Sequence, residues 1–370
     1  MTRLWILFRT ELKAWRREPL SILGGFIPPL VMLVAFGMLF GSNLGFSIAV
    51  INYDEGSSGA LLEETIREVL SPFGTPYYDV LLLSESEAWQ QLDECRIEGV
   101  WVIPSDFSKR LAAGQNPSLE MHFTNYNDDR AKNHRIYVAE ILWRFYEKIG
   151  QPQPPLSLAE TYPRPEMVDW FGVIAVGLVL FGVTLGAMFN IFLLTYKEQV
   201  AHITLELGLA PFSLLWALIP KVLLALVMGL VTGAGLLLVI YLWVGVWAGG
   251  YVWAACLLAA LVAPLWIALA LLLGLRAKNF MTGAVAAILS GVIVFFAAGG
   301  LSSPEYYPPL LKAIAAVFPN TYVIDPLRDL ILFQTWPADY LSALGIVTLF
   351  AAAGLSLGLA LTCRQLRRIG

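Results

Sequence analysis

The sequence predicts an α-helical polytopic membrane protein. We expect six transmembrane helices and an N-terminal interfacial helix, with an extracytoplasmic α/β domain inserted after the first span. Three observations lead to this fold class. Of the 370 residues, 58% are hydrophobic and only 14% are charged, whereas soluble domains carry roughly a quarter charged residues. The apolar residues form long runs without a charge, and basic residues cluster in the segments between those runs.

The uncharged runs set the number of spans, because a helix needs roughly 20 apolar residues to cross a bilayer core of about 30 Å. The longest run, residues 222–275, is too long for one crossing and breaks naturally at the glycines Gly245, Gly249 and Gly250. A soluble protein with buried helices is a poor alternative, since no soluble core accounts for so many such runs. The predicted spans are residues 20–41, 168–194, 217–244, 251–275, 280–302 and 340–362.

Residues 1–19 predict a helix that lies along the inner membrane surface, because apolar and basic residues alternate there at helical spacing. Pro19 marks the break into the first span. No small-x-small cleavage site follows that span, so we expect it to remain in the chain rather than to be removed as a signal peptide. The apolar positions of the first helix are Leu4, Trp5, Phe8, Leu12 and Trp15, and the basic ones are Arg9, Lys13, Arg16 and Arg17.

Residues 43–167 predict a compact α/β domain, because strand and helix patterns alternate. The strand candidates are Phe46–Asn52, Tyr77–Leu83, Gly99–Ile103 and Leu119–Phe123. Ser57 or Ser58 is expected to cap the first helix, and Ser84 the second, with Glu87 in capping-box position. The domain carries 10 Lys/Arg against 19 Asp/Glu, which argues against a nucleic-acid partner, and we expect none. Proline-rich stretches at residues 151–155 and 162–165 lead back to the membrane.

Basic residues near the spans predict the orientation, because Lys and Arg favour the cytoplasmic side. With six spans, all the basic clusters fall on one side, together with both termini. We therefore expect a multi-pass protein of the plasma (inner) membrane whose N and C termini are cytoplasmic. Besides the basic residues of the first helix, which also include Arg3, the residues concerned are Lys197, Lys221, Arg276, Lys278, Arg364, Arg367 and Arg368.

Residues 168–370 form the remaining five helices and two notable connections. A cytoplasmic loop follows the second span, and its residues 197–207 have helical character until Gly208 and Pro211 end it. Residues 303–338 contain several prolines among apolar stretches that are too short to span, so we expect a hairpin on the external side.

Enzymatic machinery is missing from the sequence. There is no Gly-Lys dipeptide and hence no P-loop, no HExxH and no GxSxG, and the three histidines are scattered. We therefore expect no catalytic residues, no metal and no cofactor. Ion-coupled transporters usually place acidic residues or histidine inside the membrane. These spans contain almost none, so transport would need energy from a partner.

The layout resembles the permease subunits of type-2 ABC exporters, in the subclass with a large extracytoplasmic domain after the first span. Four stretches carry the resemblance. They are Arg16–Leu20 at the entry to the first span; Val50–Gly59 with Gly99–Phe107 in the external domain; Tyr196–Lys221, which includes Glu198, Leu207, Pro211 and Lys221; and Gly299–Pro309 with Pro319–Tyr322 and Asp325–Arg328. His202 and Ile203 depart from the Gly-Thr pair that the family often has.

The resemblance implies a permease that is energised by separate ABC ATPase subunits, which would bind ATP and Mg²⁺. Residues 197–207 would be the coupling helix, with Glu198, His202 and Glu206 facing the ATPase and Leu205 as an apolar anchor. Pro19, Pro211, Lys221 and Arg328 would be structural motif residues. The substrate would be amphipathic or lipid-like and would move out of the cytoplasm or the inner leaflet.

The resemblance is compatible with more than one partner and more than one role of the external domain. Two permeases would pair as a homodimer or a heterodimer. The external domain would receive substrate, gate the exit or bind a periplasmic or cell-wall partner. The alternatives to an exporter are an ATP-independent secondary transporter or channel, and a membrane-anchored sensor or assembly factor that acts through the external domain.

Overall fold

The computed structural model describes residues 2–40, 46–71, 74–94, 96–115, 117–123, 128–150, 170–209, 213–246 and 249–369. The predicted proline-rich return to the membrane, residues 151–155 and 162–165, lies outside these ranges. The chain forms two compact units. Met1–Gly41 and Val168–Gly370 make up what we call the membrane unit, and Ser42–Met167 make up the inserted domain.

The described residues form α-helices and strands in the following order. They are α1 (Thr2–Arg16), α2 (Pro19–Phe40), β1 (Phe46–Asn52), α3 (Ser57–Glu68), β2 (Tyr78–Leu81), α4 (Glu85–Asp93), β3 (Gly99–Ile103), α5 (Phe107–Ala112), β4 (Glu120–Phe123), α6 (Asp128–Lys148), α7 (Trp170–Val200), α8 (Ile203–Leu209), α9 (Leu215–Val244), α10 (Val252–Arg276), α11 (Phe280–Ala297), α12 (Pro309–Ala315), α13 (Ile324–Ile331) and α14 (Tyr340–Ile369). Six of these helices, α2, α7, α9, α10, α11 and α14, are long and apolar enough to span a membrane, which confirms the predicted fold class.

The inserted domain is a four-stranded sheet with helices on both faces. The strand order is β2-β1-β3-β4, in which β1 runs parallel to β2 and β3, and β4 is antiparallel to β3. On one face, Ile48 and Trp101 of the central strands pack with α3, α5 and α6. On the other face, Ala49 and Val100 pack with Ala88 of α4. The central strands are apolar on both sides because both of their faces are covered.

The predictions made from local sequence patterns in the inserted domain are confirmed in part. β1 and β3 occupy the predicted residues, and Ser84 forms a capping box with Glu87. β2 is shorter than predicted, because its residues pair only with the first half of β1. The prediction of Ser57 or Ser58 as a helix cap is wrong: the N-cap position of α3 is Gly56.

The helix α7 lies at the centre of the membrane unit. Its most apolar stretch is 94% buried, and it packs against α2, α9, α10 and α11. Small residues let α7 and α9 approach closely, as is common between membrane helices. Gly186 of α7 lies against Gly229 of α9, and a Cβ atom added at Gly229 would lie 2.6 Å from the carbonyl oxygen of Val183. Gly182 lies against Leu236 of α9, and Gly233 of α9 lies against Val183. Gly229 therefore has no room for a side chain, because the neighbouring atom belongs to the backbone of α7.

Contacts between helix ends define two ends of the membrane unit. At the end that we call the Lys221 end, α1 contacts the beginning of α9, and Arg276 at the end of α10 bonds to Gln365 of α14. At the opposite end, which we call the Arg328 end, Tyr340 of α14 donates to the carbonyl of Ala254 in α10. The segment from Gly299 to Asp339, with α12 and α13, lies at the Arg328 end.

Three spans end more than one residue away from the predicted position. The helix α14 continues to Ile369 instead of residue 362. The helix α7 continues to Val200 instead of residue 194, because Lys197 and Glu198 find partners of opposite charge beyond the apolar stretch. The helix α11 ends at Ala297 instead of residue 302. There Gly299 takes a φ of +98° and the N–H of Gly300 donates to the carbonyl of Phe295, which closes the helix end.

Candidate functional site

One lysine and two carboxylates meet at the Lys221 end. The Nζ of Lys221, in α9, lies 2.9 Å from Oε1 of Glu11 in α1 and also donates to Glu198 in α7. The lysine side chain is 4% exposed, and each carboxylate is 20% exposed. Charges are costly within membrane helices unless they are paired. The three helix ends therefore depend on one another, and we call this group the Lys221 cluster.

Further contacts hold α1 against the bundle. The indole N–H of Trp15 donates to Oδ1 of Asn190 over 2.6 Å. Lys197 near the end of α7 pairs with Glu18, the residue before α2. One apolar side of α1 thus packs on protein, although exposed residues such as Trp5 leave the other side free. The packed residues are Phe8, Leu12 and Trp15, against Leu194, Leu224 and Met228.

A two-residue interruption of the helix, at residues 201 and 202, separates α7 from α8. His202 has a φ of 60°, which is uncommon for a residue with a side chain, and its N–H donates to the carbonyl of Gln199. In α8, Thr204 is buried and Leu207 packs against the bundle core, whereas Leu205 and Glu206 are exposed. The helix also lies against α14. One face of α8 is therefore fixed to the bundle and the other is free.

The residues predicted for coupling lie in three places. His202 forms the break, and Leu205 and Glu206 are exposed on α8. Glu198 belongs to α7, and its carboxylate accepts from Lys221 instead of pointing away from the bundle. The predicted helix at 197–207 is thus divided between the last turn of α7 and α8. The coupling role of all four residues stays a prediction.

The predicted structural motif residues have separate surroundings. Pro19 is the first residue of α2, where its fixed φ suits a helix start. Lys221 is the centre of the Lys221 cluster. Pro211 lies outside the described residues. Arg328 is buried in α13 and is described next.

Arg328 joins the connecting segment to the bundle at the Arg328 end. Its guanidinium lies 2.9 Å from Oδ1 of Asp325 and donates to the carbonyl oxygens of Gly299, at 2.7 Å, and Gly300, at 3.2 Å. Burial lowers the pKa of Arg328, while the neighbouring Asp325 raises it. The arginine therefore satisfies carbonyls that follow the end of α11, the role that basic side chains play at helix C-termini.

Asp54 organises the inserted domain in a different way, with uncharged donors. Its carboxylate accepts from the Ser108 hydroxyl at 2.5 Å and from the N–H groups of Gly56 and Gly59, each at 3.2 Å. The N–H of Ser108 donates to it as well, at 3.1 Å. Burial alone would raise the pKa of Asp54, but these hydrogen bonds outweigh burial and hold the pKa below its usual value. We call this group the Asp54 cluster.

The Asp54 cluster lies where the carboxyl ends of β1 and β3 meet, the position at which parallel sheets of this topology bind ligands. Here the N–H groups at the start of α3 already have a carboxylate of the same chain. Among the described residues, no group of three or more His, Cys, Asp or Glu side chains is arranged to hold a metal ion.

Sequence reasoning missed two participants in the site. Glu11 is one of the few acids in a basic N-terminal segment, and that exception was the available signal for an ion pair. Asn190 is a lone amide in an apolar span, which is a signal for a buried hydrogen bond. Neither signal identifies the residue with which Glu11 or Asn190 interacts.

Comparisons with known proteins match most of the chain. The profile of the family described as ABC-2 family transporter protein matches residues 21–360. The probable multidrug ABC transporter permease YbhR of Escherichia coli strain K12, and that of Escherichia coli O157:H7, are each 25% identical to the chain over 252 residues. That stretch is 66% of this chain and 66% of each relative, so the match covers just under two thirds of the relatives' length.

Proposed function

Because the chain belongs to the ABC-2 family of transporter proteins, we propose that it is the permease subunit of an ATP-driven exporter whose ATPase subunits bind at the Lys221 end. Membership of the family makes the chain an ABC transporter permease and implies an ABC ATPase partner. Beyond this, we propose where the ATPase docks, in which direction transport runs and which class of substrate is moved. Family membership favours it over a secondary transporter or a sensor.

The observation that carries the docking position is the division of α8 into a fixed face and a free face. Thr204 and Leu207 hold α8 to the bundle, and Leu205 is 40% exposed on the other side. An exposed leucine on a short helix next to polar His202 and Glu206 suits a protein partner. Movement of α8 would pass directly to Glu198 and Lys221, because only residues 201 and 202 separate α8 from α7.

The distribution of charge supports placing the Lys221 end in the cytoplasm. Within the described residues of the six spans, charged side chains occur only near this end. Lys and Arg outnumber acids among them, as expected for cytoplasmic ends. They are Lys197, Glu198, Lys221, Arg276, Arg364, Arg367 and Arg368. Both termini would then be cytoplasmic and the inserted domain external.

The apolar character of the spans supports an amphipathic or lipid-like substrate. Away from the Lys221 end, the spans carry mainly aliphatic and aromatic side chains, which suit a ligand with a large apolar part. The printed name of the Escherichia coli relatives refers to multidrug transport, which is compatible with this class. Uptake of an amphipathic dye into inverted membrane vesicles on addition of ATP tests both direction and class. A requirement for a strongly charged, water-soluble solute would contradict it.

Co-purification tests the docking position. The full-length chain is tagged, expressed with the ATPase genes of its host and purified in mild detergent, and ATP hydrolysis is measured in the eluate. We expect an ABC ATPase to co-purify with the wild type. Leu205→Arg should abolish both co-purification and hydrolysis, because it places a long charged side chain on the free face of α8.

A matched control separates docking from folding. Leu82→Arg makes the same change at a leucine that is 88% exposed in the inserted domain, and it should leave co-purification unchanged. If Leu205→Arg retains the ATPase, or if the wild type elutes without any ATPase while folded, the docking proposal is wrong. The mass of the eluted complex also distinguishes a permease homodimer from a heterodimer and detects any periplasmic or cell-wall partner.

A further inference from the structure

A groove lies on the surface of the membrane unit at the Lys221 end, between the beginning of α9 and the last turns of α14. It has a volume of about 720 Å³, within the range of roughly 300–1,000 Å³ that is typical of ligand sites. The helix α14 is peripheral, since only 17% of its most apolar stretch is buried. The groove is therefore open toward the position of the lipids. Its lining includes Leu215, Ser356, Ala360, Arg364, Arg367 and Arg368.

The groove changes from apolar to cationic along α14. Ser356 and Ala360 leave space beside Leu215 toward the middle of the helix, and one and two turns further on the same side carries Arg364, Arg367 and Arg368. No acidic side chain of the described residues forms an ion pair with any of these three arginines. The exposed Arg276 near by bonds instead to the amide of Gln365. Three guanidinium groups thus share one groove, and none of the described residues supplies an anion to them.

We propose that this groove binds the phosphate headgroup of an anionic membrane phospholipid, with an acyl chain along Ser356 and Ala360. Guanidinium groups match phosphate oxygens in geometry as well as in charge. Basic pockets between transmembrane helices at the cytoplasmic side recognise such headgroups. The apolar part of the groove selects a lipid over a free anion, because a free phosphate gains nothing from the leucine and alanine walls.

The position of the groove gives the bound lipid an influence on α8. That helix lies against α14, and Leu366, on the last turns of α14, is buried in the same core against which Leu207 packs. A lipid held by Arg364 and Arg367 would restrain these turns of α14 and, through them, the fixed face of α8. The placement in the inner leaflet rests on the proposed orientation, whereas the chemistry of the groove does not.

Native mass spectrometry of the full-length chain in detergent measures the binding. Detergent removes the bilayer surface, so retention of a lipid reports a site instead of general attraction to a charged membrane. We expect dioleoyl-phosphatidylglycerol to bind and dioleoyl-phosphatidylcholine to bind much more weakly. Each basic residue contributes roughly a fivefold gain in affinity. The triple variant R364Q/R367Q/R368Q should therefore lose on the order of a hundredfold in affinity for phosphatidylglycerol.

The variant R16Q/R17Q/K278Q is the matched control. It removes the same number of positive charges from exposed residues at the same end, outside the groove. The control should retain phosphatidylglycerol. Equal loss in both variants, or equal binding of the two lipids by the wild type, would overturn the proposal.

Cys363 offers a second measurement that leaves the arginines intact, because this thiol lines the groove. In a chain with Cys95→Ser and Cys256→Ser, phosphatidylglycerol nanodiscs should slow the reaction of Cys363 with a water-soluble maleimide, relative to phosphatidylcholine nanodiscs. Equal rates would contradict lipid binding. Protection by excess inorganic phosphate in phosphatidylcholine nanodiscs, as strong as that by phosphatidylglycerol, would identify a free-anion site and also overturn the proposal.

Discussion

The Asp54 cluster and the Lys221 cluster both use carboxylates to join segments of the chain, buried in the first and half-buried in the second, but their partners differ. In the inserted domain, Asp54 accepts only from N–H and hydroxyl groups of Gly56, Gly59 and Ser108. In the membrane unit, Glu11 and Glu198 share the ammonium of Lys221. The first arrangement fixes the geometry of loops within one domain. The second joins the ends of three helices by charge.

The difference shows how each cluster responds to loss of a member. The donors around Asp54 are neutral, so losing one leaves an otherwise intact set of hydrogen bonds. Around Lys221 the charges are unequal, with two anions and one cation. Losing the cation therefore leaves two carboxylates facing each other in a poorly hydrated place, whereas losing one anion balances the charge.

Removal of the lysine is expected to have the largest effect. Lys221→Met should destabilise the membrane unit by about 3–5 kcal/mol, because it leaves half-buried carboxylates without a counter-charge. The loss is measured as the fraction of monodisperse protein that survives heating, by size-exclusion chromatography. Lys221→Arg keeps the charge and should recover most of the stability. If Lys221→Met is as stable as the wild type, the cluster does not hold the helices together.

Loss of the Asp54 carboxylate should have an intermediate effect. Asp54→Ala removes the acceptor for the beginning of α3 and for Ser108, at a cost of about 2 kcal/mol. Hydrogen exchange of the full-length chain should then be faster at residues 56–68 and unchanged in α7. The Asp54→Asn variant keeps one oxygen acceptor and should lie between the two.

The pH dependence of the same region follows from the lowered pKa of Asp54. A carboxyl whose folded-state pKa is below its unfolded value, which is about 3.9, contributes stability that is complete above that value. The contribution is lost as the pH falls through the folded-state pKa. The protection of residues 56–68, taken relative to intrinsic amide exchange at each pH, should therefore decrease in the wild type as the pH falls through that pKa. An equal decrease of protection in Asp54→Asn would exclude Asp54 as the cause.

Removal of one acid from the Lys221 cluster should have the smallest effect. Glu11→Gln leaves Lys221 paired with Glu198 and removes a like-charge repulsion, so we expect a change below about 1 kcal/mol. The same heating assay measures it. A loss of stability as large as that of Lys221→Met would show that the second carboxylate is required. It would contradict the argument that removing one of the two anions balances the charge of the cluster.

The sequence predicted what depends on local pattern. The spans follow from uncharged length, and β1 and β3 follow from short apolar runs bounded by turn residues. The capping box at Ser84 needs only Glu87, three residues away. The cap of α3 was assigned incorrectly because the nearby serines are good local candidates, whereas Asp54 and Ser108 satisfy those N–H groups from outside the helix.

The Lys221 cluster was predicted only in part because its members are distant in sequence. Lys221 and Glu198 were both selected, but as members of a resemblance and not as a pair. Glu11 lies 210 residues before Lys221. Helical periodicity predicts on which face of a helix a residue lies, but it does not predict which other helix that face contacts. The same holds for the groove, which forms only when the beginning of α9 meets the end of α14.

The central position of α7 has a consequence for the order of biosynthesis. One of its faces packs against α2, which is synthesised earlier, but the other faces pack against α9, α10 and α11, which are synthesised later. A nascent chain that ends shortly after α7 therefore has a span that is apolar enough to remain in the bilayer on its own. Gly186 can already meet Gly25 of α2, whereas Gly182 meets only lipid until α9 arrives. Insertion and complete packing of this helix are thus separate events, and the second waits for translation of residues 215–297.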